Sequence, residues 1–360
     1  MKYRKRMMYG ILIAVCVSGL VGCMNGKYRY EETMNSEILD LEEFQTAVNY
    51  YNTLNYKEAI RFYELALDRI EENIQPGTSM EYWIKGQLGE CHLEIGELDT
   101  AFFYLQEAME GLEKKDDSDM LGAIYQSIGE YYEISEQYDT ALMYYDKALE
   151  YAGDDEIVSV YRLMADTYSD MDRKEKALEY YDLAIEMGEK LNDLGSLVNV
   201  YYRKGIMWAL DGELEGAKKC FEKGKEYAEY YWKEDHIKVA EAYTYLAKVS
   251  AMEEDYETAY SYSKKALDIY TNQNSKYACE YDIATIYGNM GYMNMELGNY
   301  DAALKLVRKA YDIAVDRMEE DTEMRDLFND FILDNIKSIY DEFVHDGTSY
   351  DTWFSENFEN

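Results

Sequence analysis

Small and apolar residues recur along most of the chain at a spacing typical of paired amphipathic helices. One alanine returns in seven related segments, as Ala59, Ala101, Ala141, Ala177, Ala217, Ala259 and Ala303. Twelve residues before it stands a second small residue: Ala47, Gly89, Gly129, Ala165, Gly205, Ala247 or Gly291. Seven residues after it stands a third: Ala66, Ala108, Ala148, Ala184, Gly224, Ala266 or Ala310. Small residues at these offsets let two antiparallel helices approach closely, while larger side chains fill the space between them.

The spacing predicts seven helix pairs between residues 39 and 316, at 39–76, 81–115, 121–153, 156–190, 194–230, 237–272 and 281–316. The steps between successive central alanines are 42, 40, 36, 40, 42 and 44 residues. Three pairs have a glycine (Gly96, Gly212 and Gly298) after the first helix, where glycine commonly ends a helix.

The segment after the last pair has a different pattern. Between residues 325 and 343, apolar side chains follow helical spacing at Leu327, Phe331, Ile332, Ile336 and Ile339. This pattern predicts a capping helix at 320–345 that covers the last pair. Residues 346–360 carry no clear repeat and are expected to form a frayed tail.

The repeated segments resemble the tetratricopeptide family, whose motif places a small residue, a tyrosine, an alanine, an aromatic residue and another alanine across a helix pair. The tyrosine position holds Tyr50, Tyr132, Tyr168 and, as an aromatic substitute, Trp208, and it departs from the motif at His92, Ser250 and Asn294. The aromatic position holds Tyr63, Tyr145, Tyr181 and Phe221, and it departs at Leu105, Ser263 and Val307; the closing proline is missing throughout. The resemblance implies an all-α fold, a right-handed superhelical solenoid of about seven helix pairs with a C-terminal capping helix.

The units are longer than the family's usual repeat of about 34 residues. Lengthened units occur in tetratricopeptide proteins that resemble kinesin light chains and the peptide-pheromone receptors of Gram-positive bacteria. This is an analogy of fold, and it does not by itself carry a function.

Composition limits the possible partners. The 360 residues include 73 Asp and Glu against 36 Lys and Arg, a formal net charge of −37. Binding to nucleic acid requires stripes of Lys and Arg, so such an acidic surface argues against a nucleic acid partner. With 48% hydrophobic residues, including 40 tyrosines, the chain is far too apolar for an acidic disordered segment.

The N-terminus has the features of an export signal. Lys2, Arg4, Lys5 and Arg6 precede an uncharged run from Met7 to Gly22, which is shorter than a membrane-spanning helix requires. The run ends in Leu-Val-Gly-Cys at residues 20–23, which resembles the lipobox of bacterial lipoproteins. This resemblance implies a signal peptide at 1–22, lipid attachment to Cys23, a tether at 23–38 and an extracytoplasmic chain anchored to the bacterial cell membrane. An ordinary cleaved signal and an uncleaved anchor are the alternatives, and the type of envelope stays open.

No pattern for catalysis, cofactor or metal binding stands out. The chain contains no GxSxG, Gly-Lys phosphate loop, HExxH or Gly-rich dinucleotide turn. Asp170 and Asp172 could begin a calcium loop, but the glycine and the closing glutamate are missing. Cys91, Cys220 and Cys279 are widely spaced and are interpreted as small buried residues. We therefore expect no enzyme activity, no cofactor and no metal.

The resemblance also indicates where a ligand would bind. In the tetratricopeptide family, contacts come from the first helix of each pair, which lines a concave groove, just before and just after its small residue. Here those positions hold Gln87, Glu90, Gln126, Glu130, Arg162, Asp166, Tyr202, Arg203, Tyr245, Lys248, Asn289 and Tyr292, with Glu133 one turn beyond Glu130.

Charge is uneven along this set. Acids predominate in the second and third repeats, whereas Arg162, Arg203 and Lys248 fall in the fourth to sixth. These cations could anchor a carboxylate or an acidic peptide with Tyr202 and Tyr245 stacked beside it, or they could form ion pairs with neighbouring acids. A ligand that crosses both parts would place a basic region against the second and third repeats.

The resulting hypothesis is a membrane-anchored, extracytoplasmic scaffold that binds a protein or peptide through its concave groove. Two alternatives are a receptor or immunity-type lipoprotein that sequesters a small secreted peptide, and an accessory subunit of a cell-envelope complex that works through its convex face. The partner and the oligomeric state are left open.

Overall fold

The computed structural model describes residues 41–53, 55–73, 77–115, 118–154, 156–272, 280–317, 322–344 and 347–359. The expected signal peptide at 1–22, the tether at 23–38 and the lipid site Cys23 lie outside the described residues, as does Cys279.

The described residues form successive helices that are connected in pairs, so the predicted all-α class and its tandem helix pairs are confirmed. The pairs are α1 (Glu42–Asn52) and α2 (Tyr56–Asn73), α3 (Ser79–Glu94) and α4 (Leu98–Lys115), α5 (Ser118–Ile134) and α6 (Tyr138–Tyr151), α7 (Ile157–Asp170) and α8 (Lys174–Leu191), α9 (Leu194–Leu210) and α10 (Leu214–Trp232), α11 (Ile237–Met252) and α12 (Tyr256–Tyr270), and α13 (Glu280–Glu296) and α14 (Tyr300–Arg317). Of the helices in the described ranges, none is long and apolar enough to span a membrane.

The helices begin where local hydrogen bonds favour them. Before α3, the Thr78 hydroxyl accepts the backbone N–H of Glu81 at 3.1 Å, while the Glu81 carboxylate accepts the N–H of Gly77 at 2.6 Å. Before α12, the Asp255 carboxylate accepts the N–H of Thr258 at 3.1 Å. These contacts satisfy backbone donors that the first turn of a helix leaves unpaired.

The chain divides into two compact units. The N-terminal unit is described here over residues 41–200, and the C-terminal unit over residues 201–359.

Close helix packing in the N-terminal unit depends on the predicted small residues. Ala59, Ala101, Ala141 and Ala177 are fully buried. A methyl group added at Gly129 would lie 2.4 Å from Cε1 of Tyr145, so only a glycine leaves room for that ring. The close helix approach predicted from the repeat is therefore confirmed.

Stacked rings join the two helices of each pair in this unit. The ring pairs are Tyr50–Phe62, His92–Tyr104, Tyr132–Tyr144 and Tyr168–Tyr180, with centroids 5.2–5.6 Å apart. His92 was a departure from the family motif in the sequence, yet its imidazole occupies the same position as the tyrosine ring in the other three pairs. Earlier in the unit, Trp83 is 5% exposed and packs against Phe44 at 5.8 Å.

The turns inside the pairs share a left-handed residue seven positions after the first small residue. Gly96, Gly212 and Gly298 have φ of 78°, 80° and 75°, as predicted for glycines that end a helix. The equivalent positions in three other pairs hold charged residues with φ of 56–65°: Glu136, Asp172 and Glu254. The backbone geometry is thus common to these turns although the residue type differs.

The core of the C-terminal unit contains an aromatic cluster between α9, α10 and α11. Tyr245 stacks on Phe221 with centroids 4.8 Å apart, and Tyr202 packs edge-on against Tyr245 at 5.4 Å. The Tyr202 hydroxyl donates to the backbone carbonyl of Lys238 at 2.7 Å. Because all three rings are at most 6% exposed, they belong to the interior of the unit.

The segment after α14 contains α15 (Thr322–Leu327), a π-helical turn (Phe328–Ile332) and α16 (Leu333–Phe343). Its predicted apolar residues Leu327, Phe331, Ile332, Ile336 and Ile339 are all buried.

The C-terminus differs from the expected frayed tail. Residues Tyr350–Phe354 form α17 and Ser355–Glu359 a second π-helical turn. Trp353 and Phe358 are 8% and 3% exposed and pack against Tyr340 and Tyr311, respectively. Two buried aromatic side chains thus hold a segment that has no counterpart in the repeat pattern.

Candidate functional site

A row of polar side chains follows the first helices α3, α5 and α7 of the N-terminal unit. Three hydrogen-bonded pairs form it: Gln87 Nε2 donates to Glu90 at 2.9 Å, Gln126 Nε2 donates to Glu130 at 2.9 Å, and Arg162 Nη1 donates to Asp166 at 2.7 Å. Residues three or four positions apart lie on the same face of a helix, so the two side chains of each pair share one face of their helix. We call these six residues, together with Glu133, the polar row.

Glu90 connects three successive helix pairs. Its Oε2 accepts the hydroxyl of Tyr51 from α1 at 3.1 Å, and its Oε1 accepts the hydroxyl of Ser127 from α5 at 2.7 Å. Burial raises the pKa of the Glu90 carboxyl from 4.5 to about 7; the charge of Glu130 also raises it, while the hydrogen bond from Ser127 lowers it. The carboxyl therefore changes its charge near neutral pH.

Glu133 forms a similar connection one repeat further on. Its Oε2 accepts the hydroxyls of Tyr145 at 2.7 Å and of Thr167, from α7, at 2.8 Å. Burial and the charges of Asp166 and Asp170 raise the pKa of Glu133 to about 7, against the effect of the two hydroxyl donors. Both glutamates thus lie close to further acids, and the negative charge of this face increases as the pH rises through about 7.

The predicted cations have different environments. Arg162 forms an ion pair with Asp166 on its own helix, which is the alternative that the sequence left open for it. Lys248 is 4% exposed on α11, and Arg203 is half-buried on α9. Arg162 is thus ion-paired with Asp166, while the use of all three cations to bind one carboxylate or acidic peptide stays a prediction.

Tyr202 and Tyr245 require a correction. The sequence suggested that they stack beside a ligand, but the two rings pack against each other and against Phe221 in the core. Their hydrophobic area is used inside the unit, because the small residue Gly224 leaves space for the Tyr202 ring.

Burial separates the other predicted contacts. Gln87, Asn289 and Tyr292 are 4%, 5% and 8% exposed, and Tyr292 packs edge-on against Tyr256 at 6.1 Å. By contrast, the predicted residues in the N-terminal unit that keep partial exposure are Glu90, Gln126, Glu130, Glu133, Arg162 and Asp166. A ligand would therefore meet carboxylates, the Gln126 amide and the Arg162 guanidinium on this face.

The described part of the chain contains no group of three or more His, Cys, Asp or Glu side chains arranged to hold a metal ion. Cys91 and Cys220 are buried free thiols, as the sequence predicted for them.

Comparison with known proteins identifies the repeat. Tetratricopeptide repeat family models match residues 116–190 and 283–317, which supports the assignment of these two segments as tetratricopeptide repeats. A search of curated proteins finds no match.

Solved structures share the fold. BtubC (BKLC) from P. vanneervenii is similar with a TM-score of 0.56 at 19% identity, over 62% of this chain and 93% of that one. The apo form of the quorum sensor NprR from B. thuringiensis has a TM-score of 0.55 at 16% identity, over 88% and 84%. A Rap protein complexed with Competence and Sporulation Factor has a TM-score of 0.54 at 15% identity, over 86% and 88%. At these identities the similarity concerns the fold alone.

Proposed function

We propose that this chain is a lipid-anchored, extracytoplasmic scaffold that binds a protein or peptide and performs no bond chemistry. The anchor is proposed from the lipobox-like end of the N-terminal segment and its Cys23. Ligand binding is supported by the repeat fold and by its similarity to the quorum sensor NprR and to a Rap protein that was solved with a bound factor. This scaffold needs neither a cofactor nor a nucleic acid partner.

The polar row carries the proposal. Three successive first helices each present a hydrogen-bonded polar pair, and five of those six side chains keep partial exposure. A face that only packed against neighbouring helices would be filled with apolar side chains. The repeated polar pairs are suited to hydrogen-bonding an extended ligand across repeats.

Charge defines the ligand that this face would accept. Glu90 and Glu130 lie close enough for the charge of one to raise the pKa of the other. A cation placed against them would relieve this repulsion and would form charge-assisted hydrogen bonds. We therefore expect the ligand to present a Lys or Arg side chain to the second and third repeats.

A crosslinking pull-down from membranes tests the binding face. Wild type is compared with Glu90→Gln/Glu130→Gln and with the control Glu150→Gln/Glu222→Gln, which removes two carboxylates from exposed positions on second helices. The expected result is one partner captured by wild type and by the control, and lost from the Glu90→Gln/Glu130→Gln variant. Capture of that partner by all three proteins would overturn the proposed face.

The anchor is tested separately with Cys23→Ser. Loss of the lipid should move the chain from the membrane fraction to the soluble fraction, because stable anchoring depends on acyl chains. An unchanged membrane fraction would contradict lipid attachment at Cys23 and would favour an uncleaved anchor.

A further inference from the structure

The turn between α10 and α11 carries the most exposed large hydrophobic side chain among those of the described residues. Tyr230 is 82% exposed and its neighbour Tyr231 is 50% exposed, both in the last turn of α10. We call residues 229–236, which follow each other as Glu-Tyr-Tyr-Trp-Lys-Glu-Asp-His, the aromatic turn. It belongs to the C-terminal unit and contains no residue of the polar row.

Ring contacts give this turn a defined structure. Tyr231 packs edge-on against Trp232 with centroids 4.6 Å apart, and Trp232 stacks on His236 at 4.8 Å with an interplanar angle of 7°. His236 also accepts the N–H of Lys238 at the start of α11, so the stack is connected to the next helix. Lys233, the residue that follows α10, has a φ of 83°, a conformation that an L-residue rarely adopts. The two exposed tyrosines are therefore presented by an ordered turn.

Elsewhere in the C-terminal unit, lysines cover tyrosine rings. Lys265 Nζ lies 5.1 Å from the ring centroid of Tyr243, and Lys309 Nζ lies 4.9 Å from that of Tyr287. Within the described part of the chain, no Lys or Arg lies over the ring of Tyr230 or Tyr231. These two rings are open to the kind of cation that covers the others.

Acidic residues flank the two open tyrosines along the chain. Glu229, Glu234 and Asp235 line an open depression of about 510 Å³ together with Lys233. Glu229 lies 3.9 Å from Lys225, whereas Glu234 and Asp235 are exposed and form no ion pair with described residues. The aromatic turn itself carries three acids against one lysine. Its charge is thus complementary to a basic partner.

We propose that the aromatic turn is a second docking surface, which takes an arginine- or lysine-containing segment of a protein partner. A cationic side chain would lie over Tyr230 or Tyr231 while its charge pairs with Glu234 and Asp235. A membrane surface is the other common environment for exposed tyrosine and tryptophan, but three acids would repel anionic lipid headgroups. The charge around the rings therefore favours a basic protein segment.

The test uses the full-length chain in detergent with a peptide of alternating arginine and glycine that carries a photoreactive diazirine. Crosslinked positions are mapped by mass spectrometry in wild type, Tyr230→Ser/Tyr231→Ser and Glu234→Gln/Asp235→Asn. Phe103→Ser, which removes another exposed aromatic ring, is the control for the tyrosines. Glu150→Gln/Glu222→Gln is the control for the acids. Circular dichroism verifies that each variant is folded.

We expect crosslinks within residues 229–236 of wild type, and about a fivefold to tenfold loss there in both turn variants, from the size of cation–π and ion-pair contacts. Both controls and Glu90→Gln/Glu130→Gln should retain these crosslinks, which separates this surface from the polar row. An equal loss in the controls, or an unchanged yield in the tyrosine variant, would overturn the proposal. The proposal would also be overturned if wild type bound to vesicles of phosphatidylcholine and phosphatidylglycerol and the tyrosine variant did not. The surface would then be a membrane contact.

Discussion

Replacing Glu90 by glutamine should stabilise the N-terminal unit at alkaline pH and not at acidic pH. Glutamine has nearly the size of glutamate and keeps one acceptor oxygen, but it cannot ionise. In the folded chain the Glu90 carboxyl is partly buried beside Glu130, and its pKa is raised to about 7 from 4.5. The substitution therefore removes a charge that the folded state holds at a cost above neutral pH.

The sign follows from proton binding. Because the folded-state pKa lies above the unfolded one, the folded chain binds this proton more tightly than the unfolded chain. The stability that Glu90 contributes is fully present below about pH 4.5 and is lost as the pH rises through about 7. The difference between these two pKa values corresponds to a change of at most about 3 kcal/mol in the free energy of unfolding. Partial exposure and the coupling to Glu130 reduce this, so we expect a gain of about 1–3 kcal/mol for Glu90→Gln at about pH 8.

Urea unfolding from about pH 5 to about pH 8 measures the difference between Glu90→Gln and wild type, and hydrogen exchange of α3 amides assigns it to the unit. At about pH 5 the free energy of unfolding of the variant should equal that of wild type or be lower by up to about 1 kcal/mol. The reason is that two carboxylate oxygens accept three hydrogen bonds in wild type, and one of these oxygens becomes an NH₂ group in the variant. Glu150→Gln, at an exposed position, serves as the control and should show no such trend. A difference between Glu90→Gln and wild type that does not change with pH would refute the reasoning.

Four further substitutions test the turns, the helix packing and the C-terminal segment. Gly212→Ala should lower the free energy of unfolding in urea by about 1 kcal/mol through backbone strain alone, since φ of Gly212 is 80° and no atom lies within 4 Å of the added methyl group. Glu254→Gly at the equivalent turn should instead raise the free energy of unfolding by up to about 1 kcal/mol. Effects of the same sign in the two variants would contradict this reasoning. Gly129→Ala should destabilise by about 1–3 kcal/mol because its methyl group would overlap the buried Tyr145 ring, and a wild-type urea midpoint would show that the ring can move aside. Trp353→Ala should speed hydrogen exchange in α16, with a local loss of about 3–5 kcal/mol; unchanged exchange would show that the tail does not stabilise the cap.

The fold could be predicted from sequence because its main constraint is local and repeated. Close helix packing requires small residues at fixed offsets, and these remain visible when other positions vary. It is harder to predict from the sequence that different residue types can take the same structural position. His92 takes a tyrosine position because a flat ring satisfies the stack, and Glu254 takes a glycine position because the turn imposes φ of 65° on whatever residue is there.

The candidate site was less predictable, because exposure depends on contacts between repeats that a position within one repeat does not specify. Tyr202 and Tyr245 occupy the family's ligand-facing positions in sequence, but Gly224 on α10 leaves space for the Tyr202 ring, and the Tyr245 ring stacks on Phe221. Glu90 shows the opposite case, since its partners Tyr51 and Ser127 come from the preceding and following pairs. The ordered C-terminal turns around Trp353 were missed because they lie outside the repeat.

The distribution of tryptophan provides a spectroscopic use for the packing around Phe44. The chain has four tryptophans, and Trp83 is the one among them that lies in the N-terminal unit, shielded from solvent against that ring. Trp208, Trp232 and Trp353 lie in the C-terminal unit. A chain with these three replaced by phenylalanine would emit from Trp83 alone. Its fluorescence would report the opening of the first helix pairs, and with it the unfolding of the N-terminal unit, without an attached dye.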